Sequence, residues 1–258
     1  MNESMTLNFA DLTQKLRAGG KASQQNILDI LVAGPGATFA LVEFAAESRR
    51  MFFRNTLEIV NLINRDGQLP SMDLAHSAKK AEKYSLVLDE NANDEDLARQ
   101  IYELAQNDSA DRITVSFISP EESAEQGKAM IPMQCLRILA ALRIAAPAKS
   151  IRLRSGRSTY LSSLQSLALH CVDSLYLSEN LQQAPSAIFE DLYLIKNAGL
   201  AIIGAEQRDL VEEYVNYMQN HGIENARSYA DEIFAQDDAP SGGCGGGCGC
   251  GSGGCGTC

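Results

Sequence analysis

The fold is decided between residues 112 and 204. RITVSFIS (112–119) is followed by MQCLRILAALRIAAP (133–147), SIRLRSG (150–156), SLQSLALHCV (163–172), DSLYLSE (173–179), DLYLIKNAGL (191–200) and AIIG (201–204). β-branched and alternating runs mark strands, and the longer apolar runs between them mark helices. Pro132 stands near the start of the first helix and Pro147 closes it. Strand and helix change places about every dozen residues, the signature of α/β units with parallel strands. The expected fold class is α/β, with N-terminal helices and a disordered C-terminal tail.

Upstream, LNFADLTQKLRAGG (7–20) reads as a short amphipathic helix ended by Gly19-Gly20. SQQNILDILVAG (23–34) reads as a second helix, capped by Ser23 and stopped by Gly34-Pro35-Gly36. TFALVEFAAESRRMFF (38–53) is a third, with Leu41, Phe44, Ala45, Ser48 and Phe52 on one face. LEIVNLIN (57–64) has strand character. Residues 69–96 read as connecting structure, and EDLARQIYELAQ (95–106) as a helix. Near the C-terminus, 206–219 is helical with Leu210, Val211, Tyr214, Val215 and Met218 on one face, and SYADEIFAQ (228–236) is a further helical patch.

The chain has 258 residues, 45% of them apolar and 21% charged, with a net charge of −11. That length buries a sizeable core. The acidic balance disfavours nucleic acid and anionic membrane surfaces as partners. MNESMTLNFADLTQKL lacks the basic-then-apolar pattern of a secretory signal, and no apolar run reaches about 18 residues. The expected compartment is the cytoplasm.

Five of the seven cysteines lie in SGGCGGGCGCGSGGCGTC (241–258): Cys244, Cys248, Cys250, Cys255 and Cys258. Clustered thiols in a reducing compartment point to metal or sulfur chemistry more than to disulfides. Glycine between them lets the backbone close around an ion or cluster and leaves amides free to hydrogen-bond sulfur. Alternatives are a low-complexity end, or a peptide whose Cys and Ser residues are modified by another enzyme. Cys135 and Cys171, in apolar surroundings, read as buried reduced thiols.

IPMQCLRILAALRIAAPAKSIRLRSGRSTYLSSLQSLALHCVDSLYLSENL (131–181) and EDLYLIKNAGLAII (190–203) resemble the C-terminal, biotin and thiamin synthesis associated region of biotin synthase, a radical S-adenosylmethionine enzyme. ESRRMFFRNTLEIVNLIN (47–64) resembles the segment before that family's cluster loop, and EDLARQIYELAQNDSADRITVSFISP (95–120) a late helix and strand. The resemblance implies a C-x3-C-x2-C loop after the first strand. In DGQLPSMDLAHSA (66–78) those places hold Leu69, Asp73 and His76, with Pro70 retained. A 4Fe–4S cluster needs thiolate ligands, so S-adenosylmethionine is not expected as a cofactor. The family's long central block has no counterpart between KYSLVLDE and NANDEDLARQ, so the resemblance implies a partial, incomplete TIM-type barrel of β/α units. Arg152 matches the arginine that ligates the family's auxiliary 2Fe–2S cluster, but here reads as a barrel-core arginine.

Other polar residues have local readings. Asp73 and His76 form a solvated pair. His170 is a core or boundary residue, and Arg152, Arg154 and Arg157 pair with acids inside the fold or bind an anion or a partner's carboxylates. Glu190 and Asp191 are helix N-terminal charges.

The expected organisation is a biotin-synthase-like α/β domain (1–204), a helical extension (205–236) and a flexible Gly/Cys tail (237–258). The expected role is that of a non-catalytic accessory protein. Its tail would carry an iron–sulfur cluster, metal ion or sulfur for a complete radical S-adenosylmethionine enzyme. Self-association through open sheet edges is a further expectation. Two alternatives stay open: an enzyme using tail thiols as cluster ligands, and a carrier of a modified peptide.

Overall fold

Six strands, each followed or preceded by a helix, pair in parallel throughout the described residues, in the order β2-β3-β4-β5-β1-β6. The computed structural model describes residues 9–70, 84–88, 93–117, 130–154, 156–178 and 181–235. The strands are β1 Thr56–Ile59, β2 Ser85–Leu88, β3 Arg112–Phe117, β4 Ser150–Leu153, β5 Ser174–Leu175 and β6 Ala201–Ile202. The helices are α1 Phe9–Arg17, α2 Gln24–Leu31, α3 Pro35–Phe53, α4 Asp94–Gln106, α5 Pro132–Ala145, α6 Arg157–Leu161, α7 Gln165–Leu169, α8 Ala187–Asn197, α9 Leu210–Asn220 and α10 Ala226–Phe234. None of them is long and apolar enough to cross a membrane.

Local sequence sets the helix ends. The Ser23 hydroxyl accepts the Asn26 amide at 3.2 Å while the Asn26 side chain accepts the Ser23 amide at 3.1 Å, a reciprocal cap. Asn93 caps α4 in the same sense, accepting the Asp96 amide at 2.8 Å. Pro35 and Pro132 are the first residues of α3 and α5, where a missing N–H costs nothing. Gly34-Pro35 therefore starts α3 and does not stop α2, which ends at the Val32 cap.

Register sorts the strands into two faces. Leu86, Val115, Leu153, Leu175 and Ile59 stand side by side across five strands and are buried. One residue earlier in each strand, Ser85, Thr114, Arg152, Ser174 and Glu58 form an equally continuous row on the other face. The apolar row belongs to the core that also takes in Leu97 and Ile101 of α4 and Leu136, Leu139 and Leu142 of α5. Parallel sheets are ordinarily apolar on both faces; this one has one apolar and one polar face.

A knot of buried charge ties the starts of β4, β5 and β1 together. Arg143 of α5, with no exposure, donates to the carbonyls of Cys171, Pro147 and Lys149 and to the Asp173 carboxylate. Asp173 also accepts the Ile151 amide at 2.7 Å and the Ser150 hydroxyl at 2.8 Å. Arg49 of α3 donates to the carbonyls of Val172, Arg54 and Thr56. Burial, with the neighbouring Arg143, lowers its pKa to about 10.

Several sequence expectations change here. The interval 69–96 contains β2, whose Leu86 and Leu88 are buried. SLQSLALHCV (163–172) is not helical throughout: a 3-10 turn (Ser162–Leu164), opened by a positive φ of 47° at Ser162, leads into α7, which takes only Gln165–Leu169. On α3, Leu41, Phe44, Ala45 and Ser48 are buried as expected, but Phe52 is 51% exposed and Arg49 lies inside. On α9, Leu210, Tyr214, Val215 and Met218 of the expected face are buried, while Val211 is only half-buried.

Candidate functional site

The polar row of the sheet is the one place in the described residues where the expected site residue, Arg152, meets other charged groups of the strands. Its Nε donates to the Ser174 hydroxyl at 3.1 Å, and its Nη2 to the Glu58 carboxylate at 3.1 Å. Arg112, one register step lower on the same face, reaches the same carboxylate at 3.1 Å and touches Ser150 at 3.3 Å. Three strands thus converge on Glu58. Beyond them the guanidinium carbons of Arg152 and Arg154 both lie 5.7 Å from the Tyr176 ring centre.

Burial of Glu58 works to raise its pKa. The Ser174 hydroxyl, Arg152 and Arg112 outweigh that and hold the carboxyl below its ordinary value. Glu58 is therefore ionised at neutral pH, and its charge is compensated in place.

Toward the ends of the strands, Gly156 has a φ of +88°, and a Cβ there would stand 3.1 Å from the Phe117 Cβ and 3.2 Å from its carbonyl oxygen. Glycine lets the chain pass over β3 and start α6. Tyr160 of α6 then stacks on Phe117 with ring centres 5.2 Å apart. Arg157 forms a buried ion pair with Asp191 at 2.5 Å, and Asp191 also accepts the Ser178 amide and hydroxyl. Asp191 is thus an interior ion-pair partner and not simply a helix N-terminal charge. Glu190 accepts the Ser186 hydroxyl at 3.0 Å.

Of the groups considered as cluster ligands, only part lie in the described residues. Leu69 is half-buried against the core. Asp73, His76 and the tail thiols Cys244, Cys248, Cys250, Cys255 and Cys258 lie outside the described residues. Cys135 and Cys171 are buried free thiols, and burial pushes both up to about 12, so they stay protonated. His170 is half-buried; desolvation first, then Arg49 and Arg50, lower its pKa. His221 is exposed and stacks on Tyr217. Among the described residues, no group of three or more His, Cys, Asp or Glu side chains is arranged to hold a metal ion. Among the described residues, the side chains therefore do not fit either cluster of the resembled family.

Sequence reasoning found Arg152 but missed Glu58, Arg112 and Ser174. A glutamate inside the apolar strand TLEI was the available signal, since only a polar sheet face accommodates it.

The Biotin and Thiamin Synthesis associated domain matches residues 110–201. That span runs from the turn before β3 to the first residue of β6, and it contains Arg112, Arg152 and Ser174 but not Glu58. The chain is 33% identical to the biotin synthase of Streptomyces avermitilis over 147 residues, covering 56% of this chain and 38% of the relative. It is 37% identical to that of Kocuria rhizophila over 122 residues, 46% of this chain and 26% of the relative. To that of a Nocardioides species it is 30% identical over 152 residues, 58% and 40%. The matched region thus spans two fifths or less of these relatives. The chain is a biotin-synthase-like protein whose biotin and thiamin synthesis associated domain carries β3, β4 and β5 of the parallel sheet.

Proposed function

We propose that this chain is a non-catalytic accessory protein. On this reading it binds an iron–sulfur cluster, iron or sulfur through Cys244, Cys248, Cys250, Cys255 and Cys258 and supplies it to a complete radical S-adenosylmethionine sulfur-insertion enzyme. The observation that carries the reading is the engagement of Arg152. The guanidinium that the family aims at its auxiliary cluster is bound here to Glu58 and Ser174. A second support is Leu69, which takes the place of a thiolate ligand and packs against apolar neighbours. Thiolates are the ligands iron–sulfur clusters need, and the chain concentrates them in the tail.

The test is S-adenosylmethionine cleavage after anaerobic reconstitution with iron and sulfide. The accessory role predicts no 5′-deoxyadenosine above a protein-free control under reductant. Turnover would overturn it in favour of an enzyme whose tail thiols complete a cluster. A third reading, a carrier of a modified peptide, rests on the Gly/Cys/Ser composition of the tail. Intact mass from the native host separates it, because heterocycle formation removes water from each modified residue.

A further inference from the structure

β1 is the first strand of the chain, yet it lies inside the sheet. It does so only because β6, about 145 residues later in sequence, pairs with its outer edge: Thr56 with Ala201 and Leu57 with Ile202. The Ala201 amide donates to the Asn55 carbonyl at 2.9 Å and the Ile203 amide to the Leu57 carbonyl at 3.0 Å. The chain then turns at Gly204, and the next residues grip the backbone that follows β1. Arg208 donates to the Ile63 carbonyl at 2.7 Å and is held by an ion pair with Glu213. The Tyr214 hydroxyl accepts the Ile63 amide at 3.1 Å. The matched domain ends at residue 201, so nearly all of this grip comes from residues beyond it.

An unpaired strand edge is a template for pairing with another chain. β1 carries Leu57 and Ile59 on its apolar face, so a bare β1 edge presents backbone donors and acceptors beside a hydrophobic row. We infer that residues 201–220 form an internal edge cap that keeps β1 from pairing with a second copy of this chain. β6 supplies the backbone partner. Arg208 and Tyr214 hold the cap shut by binding the backbone past the strand. The contact is only two residue pairs long, so it depends on these side-chain holds.

The variants that test this leave the core alone. Ile203→Pro deletes one ladder donor at a side chain 52% exposed, and Arg208→Ala deletes one side-chain hold. Hydrogen exchange of the full chain, kept reduced, reads cap opening at the amides of Ala201 and Ile63, which donate to the Asn55 carbonyl and the Tyr214 hydroxyl. Sedimentation equilibrium across a hundred-fold concentration range reads association. The expected result is exchange at least ten-fold faster at the amides bordering the cap in both variants, with amides of β3 and β4 unchanged. Weight-average mass should rise with concentration more steeply than for the wild type. Faster exchange with no added self-association would overturn the inference, because the cap would open without exposing a pairing edge. Unchanged exchange in both variants would overturn it equally, because the holds would not be closing the cap.

Discussion

Asp173→Asn should be among the most damaging conservative substitutions in the body. The change keeps the shape and leaves an amide oxygen for the Ile151 amide, which donates to Oδ1 at 2.7 Å, while the Ser150 hydroxyl, which donates to Oδ2 at 2.8 Å, can turn to accept from the new NH2. It removes the carboxylate bound to Arg143, a side chain with no exposure. Breaking a buried pair by neutralising one partner costs about 3–5 kcal/mol, because the other charge stays buried uncompensated. Arg143 keeps its bonds to the carbonyls of Cys171, Pro147 and Lys149, which places the cost near the lower end, about 3 kcal/mol. Domains of this kind have about 5–15 kcal/mol in all. At about 2–4 °C per kcal/mol, the midpoint should fall by roughly 6–12 °C. Urea denaturation followed by far-ultraviolet circular dichroism measures it, with an unchanged slope as the check that both states are comparable. Pairing the change with Arg143→Met isolates the charge: the double variant should be less destabilised than the sum of the single ones by at least about 1.5 kcal/mol. A loss under about 1 kcal/mol, or strict additivity, would refute the idea that this ion pair anchors β4 and β5.

Three further outcomes follow from the same geometry. Tyr214→Phe leaves the buried Ile63 amide without its acceptor, so a loss of about 1–2 kcal/mol is expected in the same urea assay; a change within about 0.3 kcal/mol would contradict that bond. Glu58 has a folded pKa below its unfolded value, so its contribution is present above the unfolded carboxyl pKa, about 4.3, and is lost as pH falls through the lower folded value. The stability gap between wild type and Glu58→Gln should therefore be widest near pH 6–7 and close on acidification; a gap that widens toward pH 3 would reverse the sign assigned to this site. Cys135 and Cys171, with pKa values pushed up to about 12, should resist iodoacetamide at pH 8 until denaturant is added, as peptide mapping by mass spectrometry would show.

Much of the architecture was legible because helix and strand alternate with clear periodicity between residues 112 and 204. The Ser23 cap and Pro132 placed the starts of α2 and α5 closely. What stayed hidden depended on contacts distant in sequence. β2 is four residues within a charged interval, and its place came from pairing with β3 rather than from its own pattern. Arg49 and Arg143 sit in helices where an apolar residue was the natural expectation; they are inside because carbonyls at the strand starts need donors. The face of α9 was readable, but nothing local showed that the Tyr214 hydroxyl reaches back to Ile63. At the candidate site, the motif match singled out Arg152, whereas Glu58 became visible only once register placed both in one row.

The accessory role turns on whether the tail thiols hold iron. Iron and acid-labile sulfide should be measured per chain after anaerobic purification, for the wild type and for a chain with Cys244, Cys248, Cys250, Cys255 and Cys258 all changed to Ser. Iron and sulfide in the wild type that vanish in the variant, with the folded body unchanged by circular dichroism, is the predicted result. Equal iron in the two chains, or none in either after reconstitution, would contradict it.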